Sequence, residues 1–381
     1  MKRYVIINAN IITDGKVLPN HNIVVDNGQI ISVQEIEPPP LPVIDAGGCW
    51  LAPGFIDMHI HGAGGYLADS GIESLEALSA LLPHYGVTGF LTGVTPNEDD
   101  VAKLEELSKA RSTGARMLGF FLEGHYLKLN GAISKLSKDY TPEHVEKLLG
   151  AAAPYKIVFA VSPEIKELEE LLPLMTASGM PAFITHTMAT PEQTARAISL
   201  GARHATHFYD VFPYPGETEP GRRACGVVEA ILANKDATVD FILDGEHVEP
   251  VAIEMALACK GLEGVCLISD SNITAGLPPG VYSGLGGLEV EMKYEGGPAR
   301  LTESGCLAGS GLTLDMAVRN AVKLLGLTPA EAIKLASENP ARILGLDDRK
   351  GFIKPGYDAD FSLLNENLIV KSCYVAGERM Y

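Results

Sequence analysis

Long apolar runs, paired cysteines and runs of basic residues are what this sequence lacks. No stretch of its 381 residues approaches the roughly 20 apolar residues that cross a bilayer, so no membrane partner is expected. Lys and Arg number 30 against 48 Asp and Glu, a formal charge of −18, and no cationic run is present. Phosphate backbones are bound through clustered cations, so a nucleic-acid partner is not expected either. The six cysteines, Cys49, Cys225, Cys259, Cys266, Cys306 and Cys373, form no C-x-x-C step and read as buried thiols, neither a redox pair nor a zinc knuckle. The start, MKRYVIIN, has three consecutive apolar residues before Asn8, too few for a secretory core, and the expected location is cytoplasmic.

What is present is 46% hydrophobic and 20% charged residues, enough to bury a large core. Tyr4 to Val33 reads as short strands joined by Asp-Gly and Asn-Gly steps, which favour tight hairpins. Pro38-Pro39-Pro40 marks a linker, since proline gives a sheet no backbone donors. From Pro53 the texture changes to eight short apolar runs: GFIDMHIHG, VTGFLTGVT, RMLGFFLEG, KIVFAVSPE, PAFITHT, HATHFYD, VDFILDG and GVCLISDS. Helical stretches separate them, several opening on Thr-Pro, a cap followed by proline in the first turn. Eight such units predict an α/β fold, a closed (β/α)8 TIM barrel over residues 52–347. The Gly- and Pro-rich AGLPPGVYSGLGG predicts a loop and a hairpin, followed by helices over Leu312 to Leu324 and Thr328 to Leu344. Residues 348–381 return to strand-like alternation and are expected to pair with residues 1–51 in a small β-sandwich domain formed from both chain ends.

Polar residues fall repeatedly at the ends of these runs, where a barrel enzyme carries its chemistry. His59 and His61 close the first, and a period-two strand points both imidazoles to one face. Glu123 closes the third, His186 the fifth, His207 the sixth and Asp270 the eighth. Several histidines with carboxylates form a donor set for zinc or another divalent metal. His204 has the opposite parity to His207 and reads as structural, as do His21, His84 and His144.

The segments PGFIDMHIHGAGG, FFLEGHYL, ITHTM, HATHFYD, LDGEHVEP, ISDSNITAGLPPG, CLAGSGLTLDMAVRN, SENPARILGL and GFIKPGYDADFSLL, in this order, resemble the N-acetylglucosamine-6-phosphate deacetylases of the amidohydrolase superfamily. The resemblance implies that Glu123, His186 and His207 hold one divalent ion, Zn2+ first with Fe2+, Mn2+ or Co2+ as alternatives. It implies that His59 and His61 can hold a second, and that Asp270 is the catalytic acid and base. Such an ion acidifies water and polarises a carbonyl, the two needs of amide hydrolysis, and three protein ligands leave a position open for the water. The implied reaction removes the acetyl group of an N-acetyl amino sugar, N-acetylglucosamine 6-phosphate first among candidates, giving the amino sugar and acetate, with a homodimer as the implied assembly. Substrate contacts are implied for His247 in DGEHV and Leu307 in LAGS.

Departures from the family fall around the substrate. His125 stands where Pro usually follows Glu-Gly, and Ile133 replaces a substrate-holding histidine, for which His125 could compensate. Asp210-Val211 replaces Asn-Ala, and Thr218 takes the place of the arginine that reaches a substrate phosphate, leaving nearby Arg222 as a substitute. Two other readings stay open. One is hydrolysis of a different amide, although the fourth run ends in Ser162-Pro163-Glu164 and not in the lysine many such enzymes carry. The other is a catalytically silent sugar-binding barrel.

Overall fold

The computed structural model describes residues 3–35, 39–133, 135–216, 219–284 and 287–381, so Pro38 and Thr218 lie outside the described residues. All eight apolar runs form strands of one parallel sheet, in chain order: Phe55–Ile60, Val87–Val94, Arg116–Tyr126, Lys156–Val161, Phe183–Ile184, His204–Ala205, Thr238–Ile242 and Val265–Ile268. The sheet closes on itself. Ser271 bridges Ile60, and its carbonyl accepts from His61 N at 2.8 Å, while Asp270 N donates to His59 O at 3.0 Å. Phe90, Phe120, Phe121, Phe159, Phe183 and Phe241 are fully buried in a continuous apolar core that includes the inner helix faces.

The Thr-Pro signals become helix starts. Thr141, Thr190 and Thr328 each accept from the backbone N–H three residues on, and Gln193 and Glu331 complete capping boxes. Helices Asp100–Leu107 and Val227–Ala233 separate the second run from the third and the sixth from the seventh. The single helix expected over Thr328 to Leu344 is two, Pro329–Ala336 and Glu338–Ile343. Pro340 has no N–H to give the carbonyl of Ala336 and its ring crowds that oxygen, so the chain breaks at Ser337. The expected hairpin is a four-stranded antiparallel sheet, Gly280–Ser283, Glu289–Met292, Pro298–Leu301 and Leu307–Ser310, joined to the barrel through Ser310 N, which donates to Asp270 O.

Both chain ends share a second eight-stranded sheet, in which Trp50–Pro53 pairs with Phe361–Leu364 and so runs past residue 51. Its Asp14-Gly15 and Asn27-Gly28 turns have positive φ at both central residues, as two-residue hairpins of this twist require. This sheet covers a separate core, with Phe361 stacked on Tyr374 and the Tyr4 hydroxyl donating to Gly377 O. Of the cysteines, Cys266 and Cys373 are buried, whereas Cys225 and Cys306 are exposed at loop and strand ends, which corrects the expectation of six buried thiols.

Candidate active site

The carboxyl ends of the barrel strands bring six of the predicted residues together. Glu123 Oε2 lies 3.0 Å from His61 Nε2 and 3.5 Å from His59 Nε2, and Glu123 Oε1 lies 3.1 Å from His207 Nε2 and 3.4 Å from His186 Nε2. Asp270 Oδ1 completes the cluster at 3.4 Å from His59 Nε2 and 3.6 Å from His61 Nε2. All six side chains are buried.

Backbone geometry aims them. His186, His207 and Asp270 each follow a strand in a left-handed conformation, with φ of 49°, 34° and 43°. Such a backbone costs a non-glycine residue about 1–3 kcal/mol, and three in one cluster mark a place where the fold holds strain for geometry. Glu123 sits in an irregular stretch of the third strand. Leu122 and Tyr126 pair with Phe159 and Val161, so two extra residues bulge out between them, with Gly124 at φ 102°. Outer contacts fix the rings. His186 Nδ1 lies 2.9 Å from Leu129 O, and His59 Nδ1 lies 3.1 Å from Thr206 Oγ1, so each turns Nε2 toward the cluster.

Positive charge is drawn to this point. Burial pulls the His61 and His207 pKa values down, but hydrogen bonds and charge from Glu123, with Asp270 adding to them, lift His61 to about 9 and His207 to about 10. Burial pushes Glu123 up, and the His59 charge with the hydrogen bonds of His186 and His207 outweighs it, holding the carboxyl well below its usual range. The Nε2 atoms of His59 and His61 face each other at 3.0 Å, an approach that is favourable only with a proton or a cation between them. The donor sets His59, Glu123, His207 and His59, His61, Asp270 each converge within 4.8 Å. Nitrogen and carboxylate donors this close suit a divalent ion, which competes with those protons for the same lone pairs.

The cluster floors a cavity to which Asp210, Val211 and Leu307 also contribute. Three other predicted contacts lie elsewhere. His125 does not line the cavity; the bulge at Gly124 breaks the parity that would have placed it beside Glu123, and its Nε2 lies 3.3 Å from Asp100 Oδ2 beneath the helix layer. Arg222 is exposed and paired with Glu219 at 3.2 Å, away from the lining. His247 is not in the lining; its side chain is buried with Nδ1 2.7 Å from Asp244 Oδ2, and its Nε2 has no hydrogen-bond partner among the described residues.

Sequence reasoning missed two buried aspartates. Asp240 accepts from His207 N at 2.6 Å and lies 2.8 Å from His204 Nε2, so His204 supports the site from behind. Asp57 accepts from the Ser269 hydroxyl at 2.6 Å and ties the first barrel strand to the eighth, its pKa pushed up to about 6 by burial. Their signal was a carboxylate inside an otherwise apolar run. Also missed were Lys135 and the roof formed by Val290 and Leu301 of the antiparallel sheet with Leu288 of the connection before Glu289–Met292.

A closed parallel barrel with imidazoles and carboxylates converging at its carboxyl end defines a metal-dependent hydrolase of the (β/α)8 class. The chain belongs to the amidohydrolase family, which it matches over residues 50–380, and within it to the N-acetylglucosamine-6-phosphate deacetylases. It is 34% identical to an N-acetylgalactosamine-6-phosphate deacetylase of Escherichia coli O157:H7, over 97% of each chain. It is 30% identical to the N-acetylglucosamine-6-phosphate deacetylase of Bacillus subtilis (strain 168), over 94% of this chain and 92% of that one. Among solved structures, the deacetylase of Pasteurella multocida superposes with a TM-score of 0.87 at 26% identity, over 99% of both chains. A mutant of the Mycobacterium smegmatis enzyme in complex with N-acetyl-D-glucosamine-6-phosphate superposes with a TM-score of 0.89 at 26% identity, over the whole of both. Members of this family are metal-dependent, and among the described residues no helix is long and apolar enough to cross a membrane.

Proposed function

We propose that this protein hydrolyses the acetamido group of a 6-phosphorylated N-acetyl amino sugar, releasing acetate and the free amine. The observation that carries the reading is the Glu123 carboxylate shared among His61, His186 and His207, with Asp270 alongside, on the floor of the cavity. Glu123, His186 and His207 would hold one divalent ion, Zn2+ first among candidates, and His59 with His61 a second. Such an ion supplies Lewis-acid polarisation of the acetamido carbonyl and lowers the pKa of water beside it. Asp270 Oδ1 faces the same point, so its carboxylate takes the proton of the attacking water and returns it to the leaving nitrogen. His207 is held on the Asp240 carboxylate, and Asp210 at the rim offers an acceptor to sugar hydroxyls. A homodimer in the cytoplasm is the assembly we propose.

Relatives acting on both the galacto and the gluco sugar are similar to this chain, which leaves the epimer to experiment. A second reading, an unphosphorylated N-acetyl sugar, is favoured by Asp210 in the lining and by the absence of arginine among the described residues there. Acetate release from N-acetylglucosamine 6-phosphate, N-acetylgalactosamine 6-phosphate and their unphosphorylated forms decides between them. The expected order places a phosphorylated sugar first, and no acetate from any of the four defeats the sugar assignment.

A further inference from the structure

A phosphorylated sugar brings a dianion into a cavity whose floor and rim carry the carboxylates Glu123, Asp270 and Asp210, in a chain of net charge −18. A phosphate entering that field needs a permanent cation. The two arginines that follow Thr218 in sequence are committed elsewhere: Arg222 is paired with Glu219, and Arg223 is paired with Glu229 and lies over the Tyr214 ring. Neither lines the cavity.

Lys135 is the sole Lys or Arg among the described residues of the lining, and this exposed residue has no side-chain ion pair or hydrogen bond among the described residues. Its place is set by the site itself. The loop before it is fastened to the fifth strand, where Leu129 N donates to His186 O at 3.2 Å and Leu129 O lies 2.9 Å from His186 Nδ1. Asn130 closes a turn on Ile133, its side chain donating to Ile133 O at 3.1 Å and its carbonyl accepting from Ile133 N at 2.9 Å. Beyond Lys135 the chain returns to the third strand, where Ser137 N donates to Gly124 O at 3.0 Å, next to Glu123. The loop is therefore anchored on both sides of Lys135 to neighbours of two site residues. Its apolar part, Ile133, and the roof of Leu288, Val290 and Leu301 offer a phosphate no donor from their side chains.

We propose that Lys135 is the phosphate-recognising residue of this cavity and sets its preference for a phosphorylated over an unphosphorylated N-acetyl sugar. The inference rests on the phosphorylated-substrate reading above. Lysine acts here as a mobile point charge reaching the phosphate from the rim, a role that needs no bidentate geometry.

The test compares kcat and KM of the metal-loaded wild type, Lys135→Met and Lys135→Arg on the better of the two 6-phosphates and on its unphosphorylated form. Losing one charge-assisted contact is worth about tenfold to a hundredfold. Lys135→Met is expected to lose that much kcat/KM on the phosphorylated sugar, through KM and not kcat, with little change on the unphosphorylated one. Lys135→Arg restores most of it, and the Ki of inorganic phosphate as a competitive inhibitor rises in parallel in Lys135→Met. A wild type active on a phosphorylated sugar whose preference survives in Lys135→Met overturns this inference alone. A wild type that releases no acetate from either 6-phosphate overturns the substrate reading, and this inference with it.

Discussion

Glu123 concentrates the logic of the site in one side chain, because a buried carboxylate within 3.0–3.5 Å of four imidazoles is stable only where positive charge collects. Similar pairing recurs one step back, at Asp244 and His247. Both side chains are buried, burial working against each charge, and their mutual hydrogen bond wins: Asp244 is held below its ordinary 3.8 and His247 above its ordinary 6.5. Asp244 therefore contributes stability above pH 3.8, lost as pH falls through its lowered value, and His247 contributes fully below pH 6.5, lost as pH rises through its raised value. Asp244→Asn is expected to cost about 2 kcal/mol between those limits. The cost should shrink as the pH is raised through the His247 value above 6.5, checked by denaturant midpoints at several pH values. A penalty independent of pH means the pair is not ionised in the fold. At this scale the ligands were legible, because imidazole and carboxylate stand out against apolar runs. His125 was not, since a parity argument assumes a regular strand, and Gly124 at φ 102° breaks it.

The elements that shape the site are short strands continued by loops, and the loops do the aiming. Gly131 shows how closely: at φ 56°, a Cβ there would stand 2.6 Å from His186 Cε1 and 3.2 Å from Val211 Cγ2. Gly131→Ala is expected to displace the His186 ring, weakening metal affinity about tenfold or more, with kcat falling while the melting temperature changes little. Metal titration with activity measured in parallel checks it, and wild-type affinity in the variant shows that the loop does not hold the ring. The eight strand positions were legible from composition, and the Thr-Pro helix starts carried their own caps. The antiparallel sheet over Gly280–Ser310 was reduced to a hairpin because Gly and Pro crowd its sequence. With it went the apolar roof of Leu288, Val290 and Leu301, whose side chains face the cavity only through a fold that local pattern does not reveal. The break at Ser337 was legible in principle, through Pro340.

At the scale of the whole molecule, one core fills the barrel and its helices, while the sheet formed by both chain ends keeps a core of its own. The Asp-Gly and Asn-Gly hairpins and the tail's alternation foretold that sheet, since turn chemistry is local. Closure of the barrel, by contrast, depends on Ser271 meeting Ile60 across more than 200 residues of chain, and only the count of eight units pointed to it. That closure is what brings His59 and His61 against Asp270. The account stands on a divalent ion at this junction and on Asp270 as the proton carrier. It is tested most directly by measuring bound metal and acetate release from the two 6-phosphates in the same preparations of wild type, Glu123→Gln and Asp270→Asn. The account predicts at least one divalent ion per wild-type chain, loss of both metal and activity in Glu123→Gln, and retained metal with kcat lowered about 10²–10⁴-fold in Asp270→Asn. Full acetate release by a metal-free wild type, or by Asp270→Asn, would contradict it.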